Sequence, residues 1–404
     1  MATQRPSLLA RFRRLLSVTT LRRLLSHHPH GFYLLCWAVF CERWAAAILG
    51  SSVVLMLCER YGYGRADALR MAGLYNAASY LLTLPGGFAV DRSLGGRRSL
   101  GAGMVLLTLG YASLTLSIAS GLWLAVTLLL LGHALFKPST QAVMVLLYER
   151  HDRRLDAAQI ACYLGVNVAA TAGAICAGLL VRGHNFRAAF SLAAAGLLVG
   201  CGVVAFGNST LHLRPKRTAF STLVNSTPIA MSAQRRAKII AALTLAMMLF
   251  TIGFGQVEGA LFLWAQDRTD RLLVGFEIPA AWFVGLPAFL VLLLAPAQLA
   301  FLPRIQHRLS TPHLVALGLV AVVLAFAVLI PPALLSHGHR VSMLWLLSCM
   351  TLLVVGELLI APLGLSLLVR LAPPRFVGMV MGMWYVAGAV GCWLAGEVGA
   401  LWMK

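Results

Sequence analysis

Acidic residues are scarce in this chain: 13 Asp and Glu stand against 33 Lys and Arg in 404 residues, and charged residues make up only 11%. A soluble protein of this length needs far more polar surface for water to wet. Hydrophobic residues reach 60%, and the mean hydropathy is +0.83. The outside must therefore face lipid, which overrides the two or three soluble domains that length alone suggests. Paired cysteine motifs are lacking too. Cys36, Cys41, Cys58, Cys162, Cys176, Cys201, Cys349 and Cys392 form no CxxC pair and nearly all lie in apolar runs. They read as small buried apolar residues, not as a disulfide frame or a zinc site. No metal cluster, nucleophile–base pairing or phosphate-binding loop is visible, so neither an enzyme nor a cofactor is expected. The net charge of +20 does not imply nucleic acid, because the basic residues form short clusters between apolar runs rather than one stripe.

What is present is a series of apolar runs of membrane-crossing length. They fall near 31–57, 70–90, 99–119, 121–148, 157–182, 186–207, 237–265, 277–302, 312–331, 342–371 and 375–401. The sequence thus predicts an all-α, multi-pass membrane protein with eleven spans. A cytoplasmic N-terminus places Arg92, Arg97, Arg98, Arg150, Arg153, Arg154, Arg214, Lys216, Arg217, Arg235, Arg236, Lys238, Arg304, Arg308, Arg370 and Arg375 inside, as the positive-inside rule requires. Residues 1–30 form a basic cytoplasmic segment, read as a surface-lying amphipathic helix and not a signal peptide. The polar, basic linker 208–236 separates a six-helix half (31–207) from a five-helix half (237–404). Two six-helix halves around a midplane site are a transporter plan. A twelfth span is expected but missing before Lys404, and an odd count would leave the C-terminus outside.

Six ionisable residues lie within spans: Glu42, Arg43, Lys137, Glu258, Glu357 and Glu397. Each costs about 2.5–3.5 kcal/mol at mid-membrane by insertion scales, so such residues concentrate on pathways. Interhelical salt bridges that only fix packing are the rival reading. For Glu42, Arg43, Lys137 and Glu357 the pathway reading is preferred. Glu258 is left open, and for Glu397, near a span end where it simply reaches the interface, the packing reading is preferred. Glu42 and Arg43 point about 100° apart on their helix, so each needs a partner elsewhere. Lys137 precedes Pro138, and Pro362 follows Glu357, so both lie where a helix is weakened and a carbonyl freed. His133, one turn before Lys137, is read as a hydrogen-bonded packing residue. Two cations in one half and carboxylates in the other suit a zwitterionic ligand held between them.

Several stretches carry a family resemblance. Gly86-Gly87-Phe88-Ala89-Val90-Asp91-Arg92 with Leu94-Gly95-Gly96-Arg97-Arg98 looks like the loop motif between the second and third helices of the major facilitator superfamily. Leu135-Phe136-Lys137-Pro138 followed by Asp152-Arg153-Arg154-Leu155-Asp156-Ala157-Ala158 and Tyr163-Leu164-Gly165-Val166-Asn167 is more specific. Phe276-Glu277-Ile278-Pro279-Ala280-Ala281-Trp282-Phe283, Gly356 to Ser366, Leu371-Ala372-Pro373-Pro374-Arg375 and Met381-Gly382-Met383-Trp384 complete the set. From about His28 to Trp402 the chain resembles the proton-dependent oligopeptide transporters of that superfamily, as a divergent member. The resemblance implies that Arg43 and Lys137 hold a peptide carboxylate, and that Glu357, assisted by Asn167, holds its amino group. Tyr80 and Trp384 would line the pocket. Glu42, Glu357 and Glu258 would couple protons, and Gly87, Asp91, Arg92 and Arg97 would form the conformational loop.

The departures are as informative. The family's Glu-x-x-Glu-Arg motif stands here as Val39-Phe40-Cys41-Glu42-Arg43, so its first glutamate is absent. The usual tyrosine pair is Ala46-Ala47, and the acidic residue expected before Gln256 is Gly255. Glu258 lies three residues on, about 4.5 Å along the axis, where it either moves a bridge to Arg43 outward or is unrelated. Leu286-Pro287-Ala288 replaces a polar Asn-Pro. The expected function is proton-coupled uptake of di- and tripeptides or peptide-like molecules by a monomer in the bacterial inner membrane. An uncoupled facilitator or exporter of a more apolar peptide-like metabolite is the first alternative. A non-transporting receptor or interaction protein derived from a transporter is the second.

Overall fold

The computed structural model describes residues 28–116, 119–148, 152, 154–207, 231–335, 338–373 and 376–403. The expected N-terminal amphipathic helix and most of the linker lie outside the described residues. Each apolar run closes its own backbone hydrogen bonds as a helix, since lipid supplies neither donors nor acceptors. The first span is α1 (His30–Gly50) and α2 (Val53–Tyr61), the second α3 (Arg65–Leu81) and α4 (Thr83–Ala89). Then follow α5 (Gly96–Ser113), α6 (Ala119–Leu146), α7 (Arg154–Val181) and α8 (Phe186–Phe206). The seventh span is α9 (Ala233–Phe254) and α10 (Ala260–Asp267), the eighth α11 (Ala281–Gln306). The ninth splits into α12 (Thr311–Ala327) and α13 (Ile330–Leu335), before α14 (Met343–Leu371) and α15 (Val377–Trp402). Among the described residues, nine helices are long and apolar enough to cross a membrane.

Two spans are interrupted at related places. The first breaks at Ser51-Ser52, where Ser52 Oγ donates to the Ile48 carbonyl at 2.6 Å. The seventh breaks at the tight turn Gly255–Glu258. At one end of the molecule lie four two-residue strands, β1 (Thr269–Asp270), β2 (Leu272–Leu273), β3 (Phe276–Glu277) and β4 (Val341–Ser342). β1 pairs parallel with β4 and β2 antiparallel with β3. This ribbon end serves as a landmark below.

Within the first half, α1 packs on α7 and α8, and α5 on α6 and α8; within the second, α14 packs on α9, α11 and α12. The halves meet along α3–α15 and α7–α11. Both seams are tightest near the ribbon end. A Cβ on Gly73 of α3 would fall 2.7 Å from the Gly396 Cα of α15, so only glycine permits this approach. Arg65 pairs with Asp267, Arg70 Nε with Glu397 at 3.1 Å, and Arg182 with Glu277 at 3.8 Å. The Trp282 indole donates to the Ile175 carbonyl at 3.2 Å.

Pro138 lies inside α6 and Pro362 inside α14. Each proline lacks an N–H and so frees the carbonyl four residues earlier, Ala134 and Leu358. A freed carbonyl in lipid needs a new neighbour. Gly86 of α4 supplies it for Ala134, its backbone lying so close that a Cβ would sit 1.8 Å from the oxygen. Gln298 of α11 supplies it for Leu358 by donating its side-chain amide. One site is met by a weak Cα–H donor at close approach and the other by a full hydrogen bond.

This packing makes a sharp distinction between adjacent glycines. Gly86→Ala should lower thermal stability in detergent by about 1–3 kcal/mol through overpacking. Gly87→Ala, whose Cβ would meet only Pro138 at an ordinary 3.6 Å, should leave it unchanged. Equal melting of both variants by differential scanning fluorimetry would refute the assignment.

Candidate functional site

The first half assembles a compact polar cluster from four helices. Glu42 and Arg43 extend from α1. Glu42 is 3% exposed, while the Arg43 side chain keeps 39% of its accessibility. The Arg43 side chain therefore retains access to space that Glu42 does not, although its Nε is buried without a hydrogen-bond partner. Arg43 Nη2 reaches back to Glu42 Oε2 at 3.7 Å. That is too long for a hydrogen bond, so neighbouring positions on one helix leave each group under-satisfied, as their angular separation predicts. Lys137 of α6 donates to Ser79 Oγ at 3.3 Å, and its ammonium lies 5.2 Å from the Tyr80 ring centroid. Both partners come from α3. Tyr80 also stands against Gly388 of α15, which puts it on the seam between halves.

His133 is 4% exposed, with Nδ1 3.4 Å from Glu42 Oε1. It does not fit the expected hydrogen-bonded packing residue: its Nδ1 has no hydrogen-bond partner, and neither has Glu42 Oε1. Tyr75 of α3 faces the imidazole edge-on at 6.5 Å. The hydroxyls of Tyr75 and Tyr111 are also buried without partners.

The second half contributes two carboxylates in different settings. The turn at Gly255–Glu258 swings Glu258 across the seam, where Asn76 Nδ2 donates to its Oε2 at 3.1 Å. Its Oε1 occupies the place a Cβ on Gly50 would need, at 2.6 Å. Glu258 makes no ion pair with Arg43 within 4 Å among the described residues, so its partner is an amide and not the guanidinium. Glu357, half-buried on α14, makes no ion pair among the described residues, and Tyr163 of α7 lies within its electrostatic reach. Asn167 spends its amide on the Tyr163 carbonyl at 2.9 Å, which leaves its oxygen to face other groups.

Other expected residues are placed differently. Trp384 is buried with its ring against Gly364 of α14, packed inside the second half. Glu397 pairs with Arg70 across the seam, an interhelical bridge of the kind its packing reading expects. In the loop motif, Asp91 and Arg92 fall in a widened helical turn, Val90–Leu94, and the Arg92 guanidinium covers the Phe88 ring at 5.4 Å. Gly95 takes φ +75°, and α5 then starts at Gly96 with Arg97 in its first turn. Before α7, the Arg154 side chain and then its backbone N–H hold Asp152 below the usual carboxylate range. Ser79, Asn76, Tyr75 and Tyr111 were not singled out by sequence reasoning. A polar group inside an apolar run was the available signal, and hydroxyls are too common in such runs to stand out.

The chain was compared with known proteins. The Major Facilitator Superfamily profile matches residues 35–396. A peptide transporter of Yersinia enterocolitica is 28% identical, covering 84% of this chain and 80% of its own. The dipeptide and tripeptide permease A of Chromobacterium violaceum is also 28% identical, over 92% and 85%. Among solved structures, a peptide transporter in complex with alafosfalin superposes with TM-score 0.85 at 24% identity, over 93% and 89% of the two chains. A POT family transporter in complex with 5-aminolevulinic acid superposes equally well, TM-score 0.85 at 22% identity, over 93% and 91%. These matches bear out the fold class and the resemblance expected from the motifs: the chain belongs to the Major Facilitator Superfamily, and the two relatives named above are peptide transporters.

Proposed function

We propose that the chain is a secondary transporter that carries di- and tripeptides, or peptide-like small molecules, together with protons by alternating access. The observation that carries this reading is the pair of cations facing the seam. Arg43 and Lys137 come together in one half, and Glu357 has no ion pair among the described residues in the other. A peptide carboxylate would dock on Arg43 and Lys137, the guanidinium offering two parallel donors and the ammonium a compact charge. The peptide's amino group would meet Glu357. Glu42, Glu258 and Glu357 are the carboxylates available for proton coupling, and the membrane potential supplies about 2.3 kcal/mol per charge per 100 mV.

With the N-terminus in the cytoplasm of a bacterial inner membrane, the ribbon end is outside. The ion pairs Arg65–Asp267, Arg70–Glu397 and Arg182–Glu277 and the Gly73–Gly396 contact then close the outer mouth, so the conformation seals the site from the exterior. Rocking about the seams would exchange that closure for one at the other end. Gly87, Asp91, Arg92 and Arg97, at the inner end of the second and third spans, would act in that exchange. Val39, Ala46, Ala47 and Gly255 favour a second reading, an uncoupled facilitator of a more apolar peptide-like metabolite.

Uptake of a dipeptide panel into proteoliposomes, with and without an imposed proton gradient, separates the two readings. Gradient-driven accumulation is expected; counterflow that ignores the gradient would select the facilitator. Arg43→Lys and Lys137→Gln should each weaken peptide competition by about 1.5–3 kcal/mol, the value of a charged hydrogen bond. They should also abolish discrimination against peptides with an amidated C-terminus. Glu357→Gln should instead abolish discrimination against N-acetylated peptides. Unaltered selectivity in these variants would reject the docking scheme.

A further inference from the structure

His133 and Glu42 form the most confined pair of titratable side chains in the cluster, and peptide docking uses neither directly. They come from different helices, α6 and α1, and both are almost fully buried. Their facing atoms, Nδ1 and Oε1, stand 3.4 Å apart, and each lacks a hydrogen-bond partner. A hydrogen shared between them satisfies both: neutral imidazole donates Nδ1–H to the carboxylate, and after an added proton the contact persists as imidazolium N–H to carboxylate or carboxyl O–H to Nδ1. No comparable partner is at hand among the described residues. Arg43 reaches only the other oxygen, at 3.7 Å, and the Tyr75 and Tyr111 hydroxyls make no hydrogen bond to either group.

We propose that His133 is a proton-coupling residue, sharing with Glu42 a single site that takes up one proton per transport cycle. This rests on the proton-coupled reading above. Without the extra proton the pair carries one negative charge: neutral imidazole with its hydrogen on Nδ1, facing a carboxylate. With it the pair is neutral overall, the proton residing on either the ring or the carboxyl. The groups facing the pair from each neighbouring helix decide what that charge does. Arg43 stands beside it on α1 and Lys137 one turn on along α6. Tyr75 of α3 and Tyr111 of α5 complete the surround, and Glu258 of the seventh span acts on both tyrosines from across the seam.

In the anionic state the pair supplies one negative charge that offsets half of the positive charge of Arg43 and Lys137. A peptide carboxylate arriving at those cations competes with it. Protonating the pair releases the cations to the incoming carboxylate, and by reciprocity a bound carboxylate favours protonation of the pair. His133 touches neither cation's docking atoms in this scheme, so its removal should uncouple the proton without removing the peptide site.

The test uses the full chain in proteoliposomes with dialanine as probe, together with infrared pH titration of the purified protein. One proton per peptide lets a gradient of one pH unit sustain about tenfold accumulation. His133→Asn and His133→Gln are expected to retain dialanine counterflow yet to lose that accumulation. In the infrared titration, the protonated-carboxyl band removed by Glu42→Gln should change its midpoint in both histidine variants. A Glu42 band that titrates identically with and without His133 would overturn the pair, as would full accumulation in the histidine variants. If the unmodified protein moves dialanine but ignores the gradient, the proton-coupled transport reading fails separately, and the infrared titration still decides whether the two residues share a proton. Thermal unfolding shows that each variant is folded.

Discussion

Hydrocarbon offers no hydrogen-bond partners, so every polar group placed in it must be answered from within the protein. That constraint shapes both ends of this molecule's organisation. It closes each apolar run into a helix, and it demands a neighbour wherever a helix is broken. The carbonyls released by Pro138 and Pro362 are answered by Gly86 and Gln298, from the second and eighth spans respectively. The prolines occupy corresponding helices of the two halves, and so do their neighbours. The same architectural problem is thus met twice, once by backbone proximity and once by a side-chain amide.

The charged groups obey the same constraint less completely. Across the seam near the ribbon end, Arg70, Glu397, Arg182 and Glu277 find partners of opposite sign, and Glu258 finds Asn76. Deeper in, Glu42, Arg43 and His133 approach one another without good hydrogen-bond geometry, and Glu357 has no ionic partner among the described residues. Groups that hold the halves together are therefore satisfied, whereas Glu42, Arg43, His133 and Glu357, which we propose meet a ligand or a proton, are not. A network left partly unsatisfied in a low-dielectric interior has a strong bias toward binding whatever completes it.

The loss of the glutamate before Glu42, read from Val39, suggested a weakened proton site. The geometry moves attention to another helix, where His133 faces the carboxylate that remains. Likewise the displacement of an acidic residue from position 255 to 258 left open whether Glu258 carries a relocated bridge to Arg43 or is unrelated. The turn at Gly255–Glu258 instead directs Glu258 to Asn76 and Gly50, because a tight turn rotates a side chain as well as advancing it along the axis. Periodicity along a straight helix cannot anticipate that rotation.

Helical spans, the class of protein, the superfamily and the identity of the charged residues were all legible in the chain itself, because apolar run length and scarce charge are local properties. Trp384 shows the limit: its motif was recognisable, but its burial against Gly364 depends on how α14 and α15 cross. The pairing of Glu397 with Arg70 joins positions 327 residues apart, and that of Glu42 with His133 joins the first span to the fourth. Such contacts arise only when the helices pack. Local sequence therefore determined which groups would be buried in lipid, and only the tertiary structure decided which of them would meet.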